Sequence, residues 1–316
     1  MNSSISLDPV IENFVSSLDT TKPISSLSPF EARDVLRTTQ NVTVEIPPVS
    51  IEQYILPIES GVYIKIVRPE DTLNELLPIV MYFHGGGWIL GDFQVFQRLV
   101  SELAFYTGYA VVFVEYTPSP EAQYPVPIQQ AYAATKYISE NATKYSLDAN
   151  KLAVAGDSVG GNMAIAVTLL AKDLGTPKID LQVLFYPVTD DNFNTASYKK
   201  YRNGPWLTKN SMEWFWNAYA ADISTREFTT IRPLRADINQ LKGLPQALII
   251  TAEHDVLRDE GEAYAHKLLK AGVPTLSMRY LGAIHDFLML NGIAHSTVTR
   301  SALSVASQYI RDVFEY

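Results

Sequence analysis

The feature that most constrains this chain is a recurrence of short apolar runs, all but one followed by a helix-length stretch. The runs span residues 78–83, 110–116, 152–155, 181–186, 246–251 and 275–281, and the helical stretches span 96–106, 128–141, 162–173, 259–271 and 296–314. A continuous apolar strand needs cover on both faces, and a helix-length connection lets consecutive strands pair in parallel. Upstream, residues 41–46 and 63–67 alternate apolar and polar side chains, which predicts two half-buried antiparallel strands. The expected fold is therefore α/β, a doubly wound and mostly parallel eight-stranded sheet. Ligands of such sheets sit beyond the carboxyl ends of the strands.

Two stretches fall outside this rhythm. Residues 1–40 carry spaced apolar side chains (Val10, Ile11, Phe14, Val15 and Leu18, then Phe30, Val35 and Leu36), which predicts two short amphipathic helices around a Pro/Ser-rich turn. The interval between the strand ending near Pro187 and the one starting near Gln246 is too long for one crossover helix. It holds Tyr198, Tyr201, Trp206, Trp214, Phe215, Trp216 and Tyr219, a concentration of aromatics that must be buried against something. Residues 1–40 and 191–240 are thus expected to form a helical cap over an α/β domain built from 41–190 and 241–316.

Composition removes several function classes. A formal net charge of −9, with no stripe of Lys and Arg, opposes binding to a phosphate backbone, so no nucleic-acid partner is expected. Cysteine is absent, which excludes disulfides and thiolate chemistry. Residues 1–20 lack the basic start and continuous apolar core of a secretory signal, and no apolar run is long enough to span a bilayer, so the expected location is cytoplasmic. Glycosylation-type triplets begin at Asn2, Asn41 and Asn141, a pattern short enough to arise by chance.

The strongest local signal is Gly156-Asp157-Ser158-Val159-Gly160-Gly161, set between an apolar strand and a helical run. It fits the Gly-X-Ser-X-Gly elbow, in which a strained strand-to-helix turn holds a serine hydroxyl above the sheet. The alternative is a plain glycine-rich turn. Upstream, His84-Gly85-Gly86-Gly87-Trp88 follows another apolar strand. Lipases and esterases use such a loop to stabilise negative charge on a carbonyl oxygen with backbone N–H groups. Gly85 and Gly86 are the expected donors, with Val159 as a third. A phosphate-binding loop needs a different spacing and usually a lysine, and this run has neither.

With these pieces in view, the chain resembles the hormone-sensitive-lipase-like family of α/β-hydrolase esterases. The resemblance rests on residues 84–88 with Gly91-Asp92, the elbow, Tyr186-Pro187, the run Ala-Glu-His-Asp-Val-Leu-Arg-Asp-Glu-Gly at 252–261, and Ile284-His285-Asp286-Phe287. It covers most of the chain from about residue 60 onward. Where the family usually reads Tyr-Arg-Leu-Ala-Pro-Glu, this chain reads Tyr116-Thr117-Pro118-Ser119-Pro120-Glu121, which puts packing and substrate fit in question more than chemistry. Val159 replaces the commoner alanine after the nucleophile.

Of the five histidines, His84 opens the glycine loop, His254 adjoins the candidate acid, and His266 and His295 fall on helical stretches. His285 follows the last apolar run, and the order Ser158, Asp255, His285 suits the fold. Among Glu253, Asp255, Asp259, Glu260 and Glu262, the last three sit in a first helical turn, where the dipole suffices to explain them. Asp255 lies past the strand, and the resemblance points to it as well. The expected chemistry is ester hydrolysis through an acyl-enzyme on Ser158, without metal or organic cofactor. The resemblance implies small esters with short or medium acyl chains. Trp88, Trp206 and Trp214 are candidate substrate contacts, although aromatics at helical spacing are more often packing residues. A homodimer is a further expectation from relatives. The competing readings are a non-catalytic binding protein and an amidase or peptidase.

Overall fold

The computed structural model describes residues 6–18, 21–59, 61–73 and 75–315. The Asn2 triplet and the first five residues of the expected cap lie outside them. The strands are β1 Val49–Ile55, β2 Tyr63–Pro69, β3 Leu77–Phe83, β4 Ala110–Glu115, β5 Leu147–Asp157, β6 Leu181–Phe185, β7 Gln246–His254 and β8 Thr275–Ile284. They form one eight-stranded sheet in the order β1-β2-β4-β3-β5-β6-β7-β8. β2 runs antiparallel to both of its neighbours, and every pairing from β4 through β8 is parallel.

The helices are α1 Pro9–Ser17, α2 Pro29–Gln40, α3 Phe93–Thr107, α4 Val126–Glu140, α5 Val159–Leu174, α6 Ala196–Lys200, α7 Lys209–Tyr219, α8 Ile238–Leu241, α9 Arg258–Lys270 and α10 Thr297–Glu315. Their local logic is visible in the sequence. Ser28 and Glu31 form a reciprocal capping box that satisfies two free N–H groups at the start of α2. In α10, Ala302, Leu303, Ala306, Ile310 and Phe314 fall on one buried face at helical spacing. α3 packs against α10 and α4 against α5, each also contacting strands. Every residue of β3 is buried, as a strand covered on both sides should be. Among the described residues no helix is long and apolar enough to cross a membrane.

The structure differs from the sequence expectation at four strands, and β5 covers Leu147–Asp157 where the sequence predicts 152–155. Residues 41–46 are not a strand, and β1 begins instead at Val49. Pro47-Pro48 cannot donate to a ladder, and Val42 and Ile46 are 47% and 43% exposed, so their alternation reports no buried face. β1 itself is an edge strand with Ile51 and Ile55 largely exposed, which is why it lacks a clean apolar signal. β7 and β8 each run on past the expected ends at Thr251 and Leu281, through an irregularity between Ala252 and His254 that preserves the pairing of His254 with Ile284. Asp255 and His285 therefore follow their strands directly rather than lying out in loops.

Candidate active site

Five polar or aromatic residues stand immediately beyond parallel strands: His84 after β3, Ser158 after β5, Tyr186 after β6, Asp255 after β7 and His285 after β8. Ser158 adopts φ 55° and ψ −120°, a conformation that L-residues rarely hold. Glycine beside it is required by close approach, since a Cβ on Gly160 would collide with the carbonyl of Phe83 at the end of β3. The turn is also tied to the sheet by backbone bonds, with Ser158 N–H donating to Phe185 O at 2.8 Å and Val188 N–H to Ser158 O at 3.1 Å.

The structure brings together the three residues singled out from the sequence. His285 Nε2 lies 2.9 Å from Ser158 Oγ, and His285 Nδ1 lies 2.7 Å from Asp255 Oδ2. An ionised carboxylate only accepts, so the proton of the neutral ring sits on Nδ1 and the Nε2 lone pair faces the serine hydroxyl. Asp255 Oδ1 in turn accepts the Leu257 N–H at 3.0 Å. Ser158, His285 and Asp255 are 4%, 2% and 1% exposed. Burial disfavours the charged imidazole, but the carboxylates of Asp255 and Asp286 overcome it and raise the His285 pKa to about 9. Burial also pushes Asp157 up to about 7, with the nearby Asp286 charge adding to it.

Gly85 requires a correction. Its N–H donates to Asp157 Oδ1 at 2.9 Å, the same oxygen that accepts the Tyr82 hydroxyl at 2.7 Å, so Gly85 is not free to act as an oxyanion donor. Among the described residues no group accepts the N–H of Gly86, Gly87 or Val159. Gly86 has φ +96°, and a Cβ there would strike the Leu90 carbonyl, so the loop's tight return depends on glycine. Sequence reasoning did not single out the free amide of Gly87, and the acidic Asp157 beside the serine was the available signal that one amide of the loop is already taken.

The tryptophans separate. Trp88 is wholly buried, stacked on Tyr219 at 4.1 Å and edge-on to Trp216 at 5.1 Å, so it packs the loop and presents no face to a substrate. Trp214 is half-buried beside Phe215, and no contact joins it to the serine. Trp206 reaches the site edge, where its Nε1–H donates to Asp286 Oδ2 at 2.8 Å. Phe215 closes over Gly87, where a Cβ would run into its ring. His84 stacks on Tyr116 at 4.3 Å, His254 meets Ser6 O at 3.0 Å, and His266 and His295 are exposed, so none of them approaches the serine. Buried Glu260 accepts the N–H groups of Thr189 and Asp190 at 2.7 Å and 3.2 Å and holds the chain after β6.

A family model described as alpha/beta hydrolase fold matches residues 80–289. The crystal structure of a thermostable esterase from Pseudomonas putida superposes with a TM-score of 0.95 at 45% identity, covering 97% of each chain. A protein of Acanthamoeba polyphaga mimivirus named as an alpha/beta hydrolase is 39% identical over 307 residues, 97% of this chain and 88% of its own. Carboxylesterase NlhH of Mycobacterium tuberculosis is 36% identical over 248 residues, 77% of this chain and 76% of its own. A sheet of this order with similarity of this extent leaves one conclusion: the chain belongs to the hormone-sensitive-lipase-like family of α/β-hydrolase esterases and is a carboxylic ester hydrolase.

Proposed function

We propose that the chain hydrolyses small carboxylic esters of short to medium acyl length through an acyl-enzyme on Ser158, with His285 as general base and Asp255 as its orienting acid. The observation that carries this reading is the unbroken run of hydrogen bonds from Ser158 Oγ through the imidazole to Asp255, at 2.9 Å and 2.7 Å. The serine proton passes to Nε2 as Oγ attacks the ester carbonyl. Charge that develops on the carbonyl oxygen is met by the free N–H groups of Gly86, Gly87 and Val159, aided by the start of α5. The imidazolium, neutralised by Asp255, then gives its proton to the departing alkoxide. Water enters, loses a proton to the same nitrogen and releases the acid, after which Ser158 recovers its proton.

Residues 1–40 and 191–240 serve in this reading as the cap. Its support is contact between them, with Phe14 of α1 5.8 Å from Trp206, and the near-complete closure of the serine. The short-chain preference follows from Phe215 crowding the glycine loop. A chain-length series of nitrophenyl esters, run on wild type and Ser158→Ala with folding checked, tests the proposal. The variant loses roughly a millionfold in turnover if Ser158 is the nucleophile. Wild-type rates in Ser158→Ala end the reading, and an optimum at long acyl chains ends the short-chain part of it.

A further inference from the structure

The imidazole of His285 has a carboxylate on each side. Asp255 occupies the Nδ1 side, and Asp286 Oδ1 lies 3.3 Å from Nε2, the nitrogen that must take and return the serine proton. The other oxygen of Asp286 accepts the indole N–H of Trp206 at 2.8 Å. Asp286 holds φ +64°, a left-handed conformation that aspartate, asparagine and glycine tolerate better than other residues, and its side chain is 15% exposed.

A carboxylate at Nε2 discriminates between the two forms of the ring. The neutral ring presents a lone pair there, which repels the oxygen, whereas the imidazolium presents an N–H, which attracts it. Asp286 left to itself would therefore favour the protonated ring and compete with Ser158 Oγ for Nε2. The Trp206 N–H draws charge the other way. Trp206 belongs to the 191–240 segment and its ring leans on Phe14 of α1, whose own ring packs so closely on Gly292 that a Cβ there would press into it. The indole thus reaches Asp286 only while both the N-terminal helix and the insertion are in place.

We propose that Asp286 is a positioning residue for His285, and that Trp206, by holding its outer oxygen, ties the readiness of the base to closure of the aromatic segment over the site. With the segment displaced, the full charge of Asp286 falls on the imidazolium and holds the base in its inactive form; with it closed, the indole N–H takes up part of that charge through the outer oxygen while Oδ1 stays 3.3 Å from Nε2. This inference rests on the assignment of Ser158, His285 and Asp255 made above. The other groups facing His285 are Asp255 from the end of β7, Asp157 from the end of β5, Ser158 itself, and the ring of Tyr186 after β6, edge-on at 4.9 Å. Arg98, the cation whose charge reaches Tyr186, is itself paired with Glu102 at 2.5 Å.

The test is the pH dependence of kcat/KM for wild type, Asp286→Asn, Trp206→Phe and the double variant, with Ser158→Ala as control. Removing an opposite charge this near lowers the affinity of the ring for its proton by roughly one pH unit or more. Asp286→Asn is therefore expected to move the acid limb down by that amount, a roughly tenfold gain in kcat/KM at a fixed pH below the limb. Trp206→Phe moves the limb up, and the double variant behaves as Asp286→Asn, since without the carboxylate the indole has nothing to withdraw. An unmoved limb in Asp286→Asn, with only kcat lowered, reduces Asp286 to a structural role and overturns the proposal. A limb raised equally in Trp206→Phe and in the double variant overturns the coupling. If Asp286→Asn does not fold, Asp286→Gly, which suits the same φ, reads the same limb. Activity retained in Ser158→Ala removes the underlying assignment instead, so the two failures are distinguishable.

Discussion

The floor of the site and the aromatic cover above it are held by different kinds of contact. On the floor, neighbouring strand ends are joined through backbone: Ser158 N–H to Phe185 O at 2.8 Å, Tyr186 N–H to Ile250 O at 2.6 Å, and Val188 N–H back to Ser158 O at 3.1 Å. In the cover, the side chains of Trp88, Trp216 and Tyr219 are held by ring packing, with Arg226 lying 5.3 Å over Trp216, although the backbone is bonded there too, Ser119 N–H to Trp88 O at 2.7 Å and Tyr124 N–H to Tyr219 O at 2.9 Å. Among the described residues, Trp88 Nε1, Trp216 Nε1 and the Tyr219 hydroxyl have no hydrogen-bond partner. Directional backbone bonds define positions to within fractions of an ångström, which proton transfer requires. Ring packing is less directional, so the aromatic side chains of the cover can rearrange at lower cost than the floor.

This contrast can be broken by substitutions that should act differently on its two sides. The largest expected effect is on the floor: Asp255→Asn should lower kcat by about ten-thousandfold, by analogy with loss of the tautomer-setting acid in other triads, while the folded state survives. A retained kcat there would show that the imidazole is oriented by something else. Next comes the cover, where Trp216→Ala should cost about 3–5 kcal/mol in urea unfolding, because a wholly buried indole leaves a cavity. A cost near zero would mean that the cover does not unfold with the rest.

The pH dependence sharpens the comparison further. With the His285 pKa raised to about 9, kcat/KM should climb with pH toward that value as the imidazolium loses its proton. The stability contribution runs the other way. A group whose folded pKa exceeds its unfolded value near 6.5 stabilises the fold fully below 6.5, and that contribution is lost as pH rises from there through about 9. Unfolding curves that are flat in this window for wild type, or that keep their slope in His285→Gln, would contradict it. The smallest effect belongs to the exposed rim: Arg37→Ala breaks a pair with Asp92 in which the side chains are 48% and 29% exposed, and should change stability by less than about 1 kcal/mol. A larger loss would make the α2 contact part of the cover's support.

The inner parallel strands were legible because each carries a continuous apolar run, which is what burial on both faces selects; β8, the other edge of the sheet, is interrupted by Ser277 and Arg279. β1 was not, since an edge strand with exposed side chains has no such pattern, and the alternation at Val42, Val44 and Ile46 arises in a stretch that pairs with nothing in the sheet. At the site, Ser158, Asp255 and His285 could be picked out because chain order and strand ends constrain them. Gly85 was misread because its amide is taken by Asp157, and glycines in a row look alike until their partners are known. Trp88 was misread for a related reason: neither the loop nor the insertion alone tells that Tyr219 and Trp216 seal it.

The amino-acid sequence alone determined what depends on near neighbours: hydrophobic period, turn and cap chemistry, the strained serine between glycines, and the exclusion of thiol chemistry. Tertiary structure alone decided which amides of the glycine loop stay free, which tryptophan reaches Asp286, and that Asp286 shares the imidazole with Asp255. The reason is that a hydrogen bond is satisfied by whatever group lies within about 3 Å, and for a buried group that neighbour is set by packing rather than by distance along the chain.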